Sequence, residues 1–281
     1  MAAQFFNRSC LYRDLFSLRP SRIVFLSLTI VGLALSVSGC ASLRGKPVEI
    51  QYDSEATRLL LDRTLKANPR LEAFKGVGRV VIEAGGDARS YDRTAWVGSE
   101  PGRLRFAFRS PAGMPVFTMS CDEQWVMALN HTDGQSYRRR IGDNSLSSFL
   151  PVEIKCADLY GLMAGRPPGV AYDSASAAPT GADAKDTIVI RLQRRFRGTV
   201  ARLHIDRDTG DLRWAELIDI HGNPLYEVTL ADVQIVGGYR LPGKIKLAGP
   251  DGRIALDIQR IWLETDVDRK LFHIVPPEAK P

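Results

Sequence analysis

Gly102–Ser110 reads GRLRFAFRS, and its alternation decides the fold. Leu104, Phe106 and Phe108 fall on one parity, Arg103, Arg105 and Arg109 on the other. A period of two sends successive side chains to opposite faces, so this is a strand with one apolar and one basic face. The same period runs outward in both directions. Upstream lie FKGVGRVVIEA (74–84), a Gly-Gly-Asp turn and RSYDRTAWV (89–97); downstream lie GMPVFTMS (113–120), EQWVMAL (123–129) and GQSYRRR (134–140). Short alternating runs separated by turn residues predict a β-meander of about six strands.

Beyond residue 186 the pattern resumes with TIVIRLQ, TVARLHID, LRWAELIDI, PLYEVTLADVQI, YRLPGKIKLAG and GRIALDIQRIWLET. HGNP (221–224) and GPDG (249–252) stand at hairpin spacing, and KLFHIVPPEAKP at the C-terminus reads as a short strand with a proline-rich end. Helix signals are few. SEATRLLLDRTLKANPRL (54–71) has Ser54 as N-cap and Leu59, Leu60 and Leu61 as an apolar side, ending at or just before Pro69. In mid-chain, DNSLSSFL (143–150) reads as one or two helical turns capped by Asp143 or Asn144, and CADLYGLMAG (156–165) as a second short helix. YDSASAAPTGADAKD (172–186), made of small residues, reads as a mobile loop. The total is about twelve antiparallel strands, mainly β, in one sheet that curls on itself with the helices over one side.

The first forty residues are of another kind. Arg8, Arg13, Arg19 and Arg22 precede the uncharged run Ile23–Val37, which is too short and too rich in Ser, Thr and Gly for a comfortable spanning helix. Basic, apolar and small-residue regions in that order are the pattern of a secretory signal. Val37-Ser38-Gly39-Cys40 resembles the bacterial lipobox, so Cys40 is expected to be acylated and cleavage expected before it. That divides the chain into a signal (1–39), a lipidated tether (40–50) and a folded domain (51–281). Removing residues 1–39 leaves 242 residues with 34 basic and 31 acidic side chains, a formal charge of +3 instead of +6. A nucleic-acid partner thereby loses its electrostatic support. Two or three acyl chains would hold the protein firmly on a membrane.

Cys121 and Cys156 remain after Cys10 and Cys40 are set aside. In a compartment that permits disulfides they either pair, closing a loop of about 35 residues, or stay as buried thiols; their spacing leaves both open. Catalytic sets are not visible. His131, His204, His221 and His273 form no i,i+4 pair, and neither HExxH, GxSxG nor a phosphate loop is present. The expectation is a non-enzyme without metal or cofactor. The arginine stripe of 103–109 and the run Arg138–Arg140 read as a solvated outer sheet face, or as a contact for anionic headgroups.

RLRFAFRSPAGMPVFTMS (103–120), with LEAFKGVGRVVI and RTAWVGSEPG upstream and SSFLPVEIKCADLYGLMAGRPP downstream, resembles the LolA/LolB family of lipoprotein localisation factors, and among them the LolB-like outer-membrane lipoproteins. The likeness covers most of residues 55–264. It implies a half-open, unclosed antiparallel barrel of about eleven strands, with an N-terminal helix and a short helical lid over an apolar cavity for acyl chains. The alternation puts Leu104, Phe106, Phe108, Val189, Ile205, Leu217, Val228, Ile245 and Leu256 among the inward positions, where they would line such a cavity or fill a packed core. LolB-type receptors carry an exposed leucine after the proline of the loop that follows this strand. In Pro111-Ala112-Gly113-Met114 that position is Ala112, too small for a hook, and Met114 is the apolar residue available instead. Ala41 after Cys40, where an aspartate would favour inner-membrane retention, implies the outer membrane, facing the periplasm.

The function implied is an outer-membrane-anchored lipoprotein that binds the acyl chains of lipoproteins and helps deliver them to the membrane, receiving cargo from a periplasmic LolA-type carrier. Two other readings fit the same residues: a structural or sensor lipoprotein of this fold that binds a protein partner, and a carrier for another lipid such as a phospholipid or lipopolysaccharide.

Overall fold

The computed structural model describes residues 50–140, 146–179 and 186–275, and within the chain Glu49–Pro281 forms one compact unit that holds every core residue. The signal, Cys40, the tether up to Glu49, and the capping residues Asp143 and Asn144 lie outside the described residues.

Alternation is realised as long antiparallel strands. β1 (Gln51–Tyr52) and helix α1 (Glu55–Leu65) lead into β2 (Ala73–Ala84), β3 (Asp87–Ser99), β4 (Arg103–Arg109), β5 (Pro115–Cys121), β6 (Trp125–Asn130) and β7 (Ser136–Arg140). Helix α2 (Cys156–Met163) then crosses to β8 (Ser174–Pro179), β9 (Thr187–Arg194), β10 (Gly198–Asp206), β11 (Leu212–Ile218) and β12 (Pro224–Ala231). A small hairpin, β13 (Gln234–Val236) with β14 (Tyr239–Leu241), precedes β15 (Lys244–Gly249) and β16 (Gly252–Glu264). Among the described residues fourteen strands form one sheet in the order β1-β8-β9-β10-β11-β12-β15-β16-β2-β3-β4-β5-β6-β7. Long β16 pairs with β2 and joins the two halves, while among the described residues β1 and β7 stand at the two edges and do not pair with each other, so the sheet curves without closing.

Ser54 caps α1 as expected, its Oγ accepting the Thr57 N–H at 3.1 Å. Leu60 and Leu61 are buried, whereas Leu59 is exposed. Two segments depart from the pattern reading, residues 174–179 and the C-terminal KLF. Residues 174–179, expected as loop, form β8, which pairs with β9 on one side and, in parallel, with β1 on the other. Their small side chains give no strand signal, but they let α1 pack closely on β8. Of the DNSLSSFL segment the described part, residues 146–150, makes a single turn, with the Phe149 and Leu150 N–H groups both donating to the Leu146 carbonyl at 2.9 Å. The C-terminal KLF is a 3₁₀ turn (Arg269–Phe272), not a strand.

That 3₁₀ turn straps the convex face. Arg105 Nη1 donates to the Leu271 carbonyl at 2.6 Å, Ser120 Oγ donates to the Phe272 carbonyl at 2.6 Å, and Phe272 is buried. Ile274 joins Met127 and Leu129 in a small second core. The arginine stripe is therefore not a uniformly solvated face. Arg103 is buried against Glu123 (2.5 Å), Arg105 holds the strap, and Arg109 is exposed. In β7, Arg138 lies 4.0 Å over the Trp125 ring.

Candidate functional site

The concave face collects the apolar parity of nearly every strand. Leu104, Phe106 and Phe108 on β4, Ile205 on β10, Leu217 on β11, Val228 on β12, Ile245 on β15 and Leu256 on β16 are all buried there. Val189 does not join them. It is half-buried and pairs across the sheet with His204, while Ile188, Ile190 and Leu192 share their face with Ile205, Leu203 and Ala201. A one-residue error of face is enough to turn a side chain out of the core. Trp96 adds the largest ring; a Cβ on Gly76 would sit 2.6 Å from its indole, so the glycine makes the space the indole occupies.

Helix α2 covers this face and is fixed at both ends. At its N-terminus a disulfide links Cys156 to Cys121 at the end of β5, with a Cα–Cα distance of 6.3 Å. Near its C-terminus the Arg166 guanidinium donates to the Ala67 (3.0 Å) and Asn68 (3.1 Å) carbonyls and pairs with Glu100 at 2.6 Å, and Asn68 Nδ2 donates to the Ala164 carbonyl at 2.8 Å. Between these ends Tyr160 stacks on Phe74 with centroids 5.3 Å apart, and its hydroxyl donates to the Glu72 carbonyl at 3.2 Å. Burial and the nearby Glu100 carboxylate raise its pKa far above the usual phenol range. Asp158 on α2 is also buried, which pushes its carboxyl upward, and it accepts the Gly169 N–H at 2.8 Å.

The segment 146–155, between β7 and α2, lies as a bar across one rim of the curved sheet. Leu146, Val152 and Ile154 anchor it in the core, and the Leu146 N–H donates to the Ile154 carbonyl at 2.8 Å. A Cβ on Gly252 would sit 2.9 Å from Pro151 Cβ, and one on Gly249 3.6 Å from Val152 Cα, so the bar rests on the β15–β16 turn. It divides the mouth into two openings. One, of about 490 Å³, is lined by Ile82, Arg89, Tyr91, Phe108, Phe117 and Phe149 among others. The other, of about 460 Å³, lies among Lys155, Asp158, Arg194, Arg197, Ile220 and Tyr226. Behind the bar is an entirely apolar pocket between Val80, Phe106, Met119, Leu159, Leu247 and Leu256, with only about 30 Å³ free. Ile82, Phe108 and Leu150 line both this pocket and the first opening, so they form the partition between them. Volumes of about 300–1,000 Å³ suit small ligands, which the openings reach and the small apolar pocket does not.

The loop Ser110–Met114 closes β4 to β5, its Gly113 N–H donating to the Ser110 carbonyl at 2.8 Å. Pro111 and Ala112 are exposed, Gly113 is half-buried, and Met114 is 66% exposed. No cluster of three or more His, Cys, Asp or Glu side chains able to hold a metal occurs among the described residues. Sequence reading had not anticipated the bar, the partition at Leu150, or the tip of the β9–β10 hairpin, Arg194–Arg197.

No family model and no curated protein sequence matches this chain. Solved structures do. A LolA superfamily protein from Nitrosomonas europaea aligns over 78% of this chain and 97% of its own, with TM-score 0.53 and 13% identity. A domain assigned to outer-membrane lipoprotein sorting from Vibrio parahaemolyticus aligns over 77% and 95%, with TM-score 0.56 and 11% identity. A DUF1329 family protein from Desulfovibrio piger aligns over 78% and 98%, with TM-score 0.55 and 12% identity. At these identities the likeness is one of architecture: a curved, unclosed antiparallel sheet with helices on its concave side. This chain shares its fold with these three proteins.

Proposed function

We propose that this protein is a LolB-like lipoprotein, acylated at Cys40 and held on the periplasmic side of the outer membrane, which takes up the acyl chains of lipoproteins and helps deliver them to that membrane. The observation that carries the reading is the apolar pocket beneath the bar, which only the side chains of Ile82, Phe108 and Leu150 divide from an opening of about 490 Å³. An alkyl chain entering past Leu150 would exchange water for an all-apolar wall, at about 0.8 kcal/mol per buried CH₂. Such transfer needs only a difference in affinity and no bond chemistry, so the protein acts without catalytic residues, metal or cofactor. Met114, exposed on its loop, takes the part of the leucine hook that Ala112 cannot play.

The test is transfer. A LolA-type carrier loaded with a lipoprotein is mixed with the protein, and the acylated cargo is followed by co-purification. Cargo should pass to this chain, and Met114→Glu should leave acceptance intact while slowing release into vesicles. Failure to accept cargo would remove the carrier reading. The small free volume of the apolar pocket also suits a second reading, a structural or sensor lipoprotein with a filled core that binds a protein partner.

A further inference from the structure

The tip of the β9–β10 hairpin breaks two ordinary rules at once. Arg194 to Arg197 form a tight turn, the Arg197 N–H donating to the Arg194 carbonyl at 2.9 Å. Phe196 holds the third position of that turn with φ +65°, a backbone state that suits Gly or Asn and strains a bulky side chain. Its ring is 94% exposed. An aromatic residue that accepts backbone strain only to stand in water contributes nothing to the fold it sits on. Around it are Arg194, Arg195 and Arg197, all exposed, with the Arg195 guanidinium 5.1 Å from the ring centre. Of the nearby acids, Glu153, Asp158 and Asp219 line the same opening as Arg194 and Arg197, and Asp158 accepts the Gly169 N–H at 2.8 Å. Asp173 Oδ2 accepts the Arg195 N–H at 2.6 Å, and Asp219 accepts the backbone N–H groups of His221 and Asn223.

Register places a second apolar tip beside it. β10 pairs with β11, so the start of β10 and the end of β11 lie at the same rim, and the next turn carries Ile220, 64% exposed. Arg194, Arg197 and Ile220 together border the opening of about 460 Å³.

We infer that the Arg194–Arg197 hairpin, with Ile220 beside it, docks on an anionic lipid bilayer. Phe196 enters the interface, the three arginines meet headgroup phosphates, and the opening behind them faces the membrane. The chemistry that selects a bilayer is the pairing of a fully exposed ring with a cluster of cations, since rings settle at the headgroup level and arginines are drawn to a negative surface. This surface is separate from the Ser110–Met114 loop and stands whether or not the concavity carries lipoprotein.

The test uses Glu49–Pro281, which contains the whole described core and lacks Cys40, so no acyl anchor masks the contact. It is sedimented with phosphatidylcholine vesicles with and without phosphatidylglycerol. Binding should require phosphatidylglycerol and weaken as salt rises. Arg195→Gln should weaken it about fivefold, and Phe196→Ser about tenfold or more. Phe196→Gly is the sharper variant: it relieves the positive φ, so the melting temperature should rise while vesicle binding falls. Phe196→Leu should keep most of the binding. Binding of a fluorescent fatty acid should be unchanged in all of them, which separates this contact from carriage. The inference is overturned if anionic vesicles do not bind, if the Phe196 variants bind as the parent does, or if only Met114→Glu loses binding. Retention of a protein partner through the hairpin in place of the bilayer would overturn it as well.

Discussion

Leu150 is the side chain whose removal should change the protein most informatively. It is buried, lies on the bar, and lines both the apolar pocket and the first opening. Leu150→Ala removes three carbons, a transfer loss of about 2.4 kcal/mol at about 0.8 kcal/mol per CH₂. The site borders an open mouth, so the added cavity cost is small, and the total should fall near about 2–3 kcal/mol, the low end for Leu→Ala. The same three carbons of space then become available to a ligand. If an incoming chain recovered all of that burial, affinity would rise about sixtyfold, and recovery of half gives about eightfold. Urea unfolding followed by intrinsic fluorescence measures the first quantity, and titration with a fluorescent fatty acid measures the second. Leu150→Trp should do the reverse, plugging the partition and weakening the probe. A protein destabilised by Leu150→Ala whose probe affinity is unchanged would refute the gate, because the concave face would then be core alone.

Two further outcomes follow from particular contacts. Replacing both Cys121 and Cys156 with Ala should cost about 4 kcal/mol, from the loop entropy of a 35-residue separation, read as a shift in the urea midpoint; it should also speed exchange of bound probe, since α2 loses its N-terminal tether. Burial alone would raise the Asp206 carboxyl, but the Arg213 guanidinium (2.8 Å) and the Thr209 N–H bring it to about 2. A depressed carboxyl stabilises the fold above its unfolded value near 3.8 and loses that contribution as pH falls toward 2. Asp206→Asn should therefore flatten the loss of stability between those pH values in urea titrations; an unchanged acid limb would show that other carboxylates govern it.

Much of the architecture was legible because β-strands with one buried face announce themselves by alternation. GRLRFAFRS put Leu104, Phe106 and Phe108 inside with no help from the rest of the chain. TIVIRLQ could not be placed in the same way. Ile188, Val189 and Ile190 are consecutive apolar residues, so a period of two does not choose a face, and only pairing with Leu203 and Ile205 of β10 turns Val189 outward. SASAAP lacks β-branched and aromatic side chains, and its strand character comes from partners on both edges. The fates of Arg103 and Arg105 depended on Glu123 and on a strap arriving from residues 269–274, contacts that local pattern does not encode. The site was less legible than the fold. Lining residues of a cavity and of a packed core are the same amino acids, and the bar is an irregular segment whose course beyond the turn at 146–150 no local pattern encodes. Both ends of α2 are fastened, which moves the expected point of opening from the helix to the turn around Leu150.

Native mass spectrometry of Glu49–Pro281, purified from cells that make lipoproteins and then offered an acylated lipoprotein in detergent-free buffer, tests the carrier reading most directly. A one-to-one complex that survives desalting and is lost with Leu150→Trp is the predicted result. Ligand-free protein under every condition, including with Leu150→Ala, would contradict it.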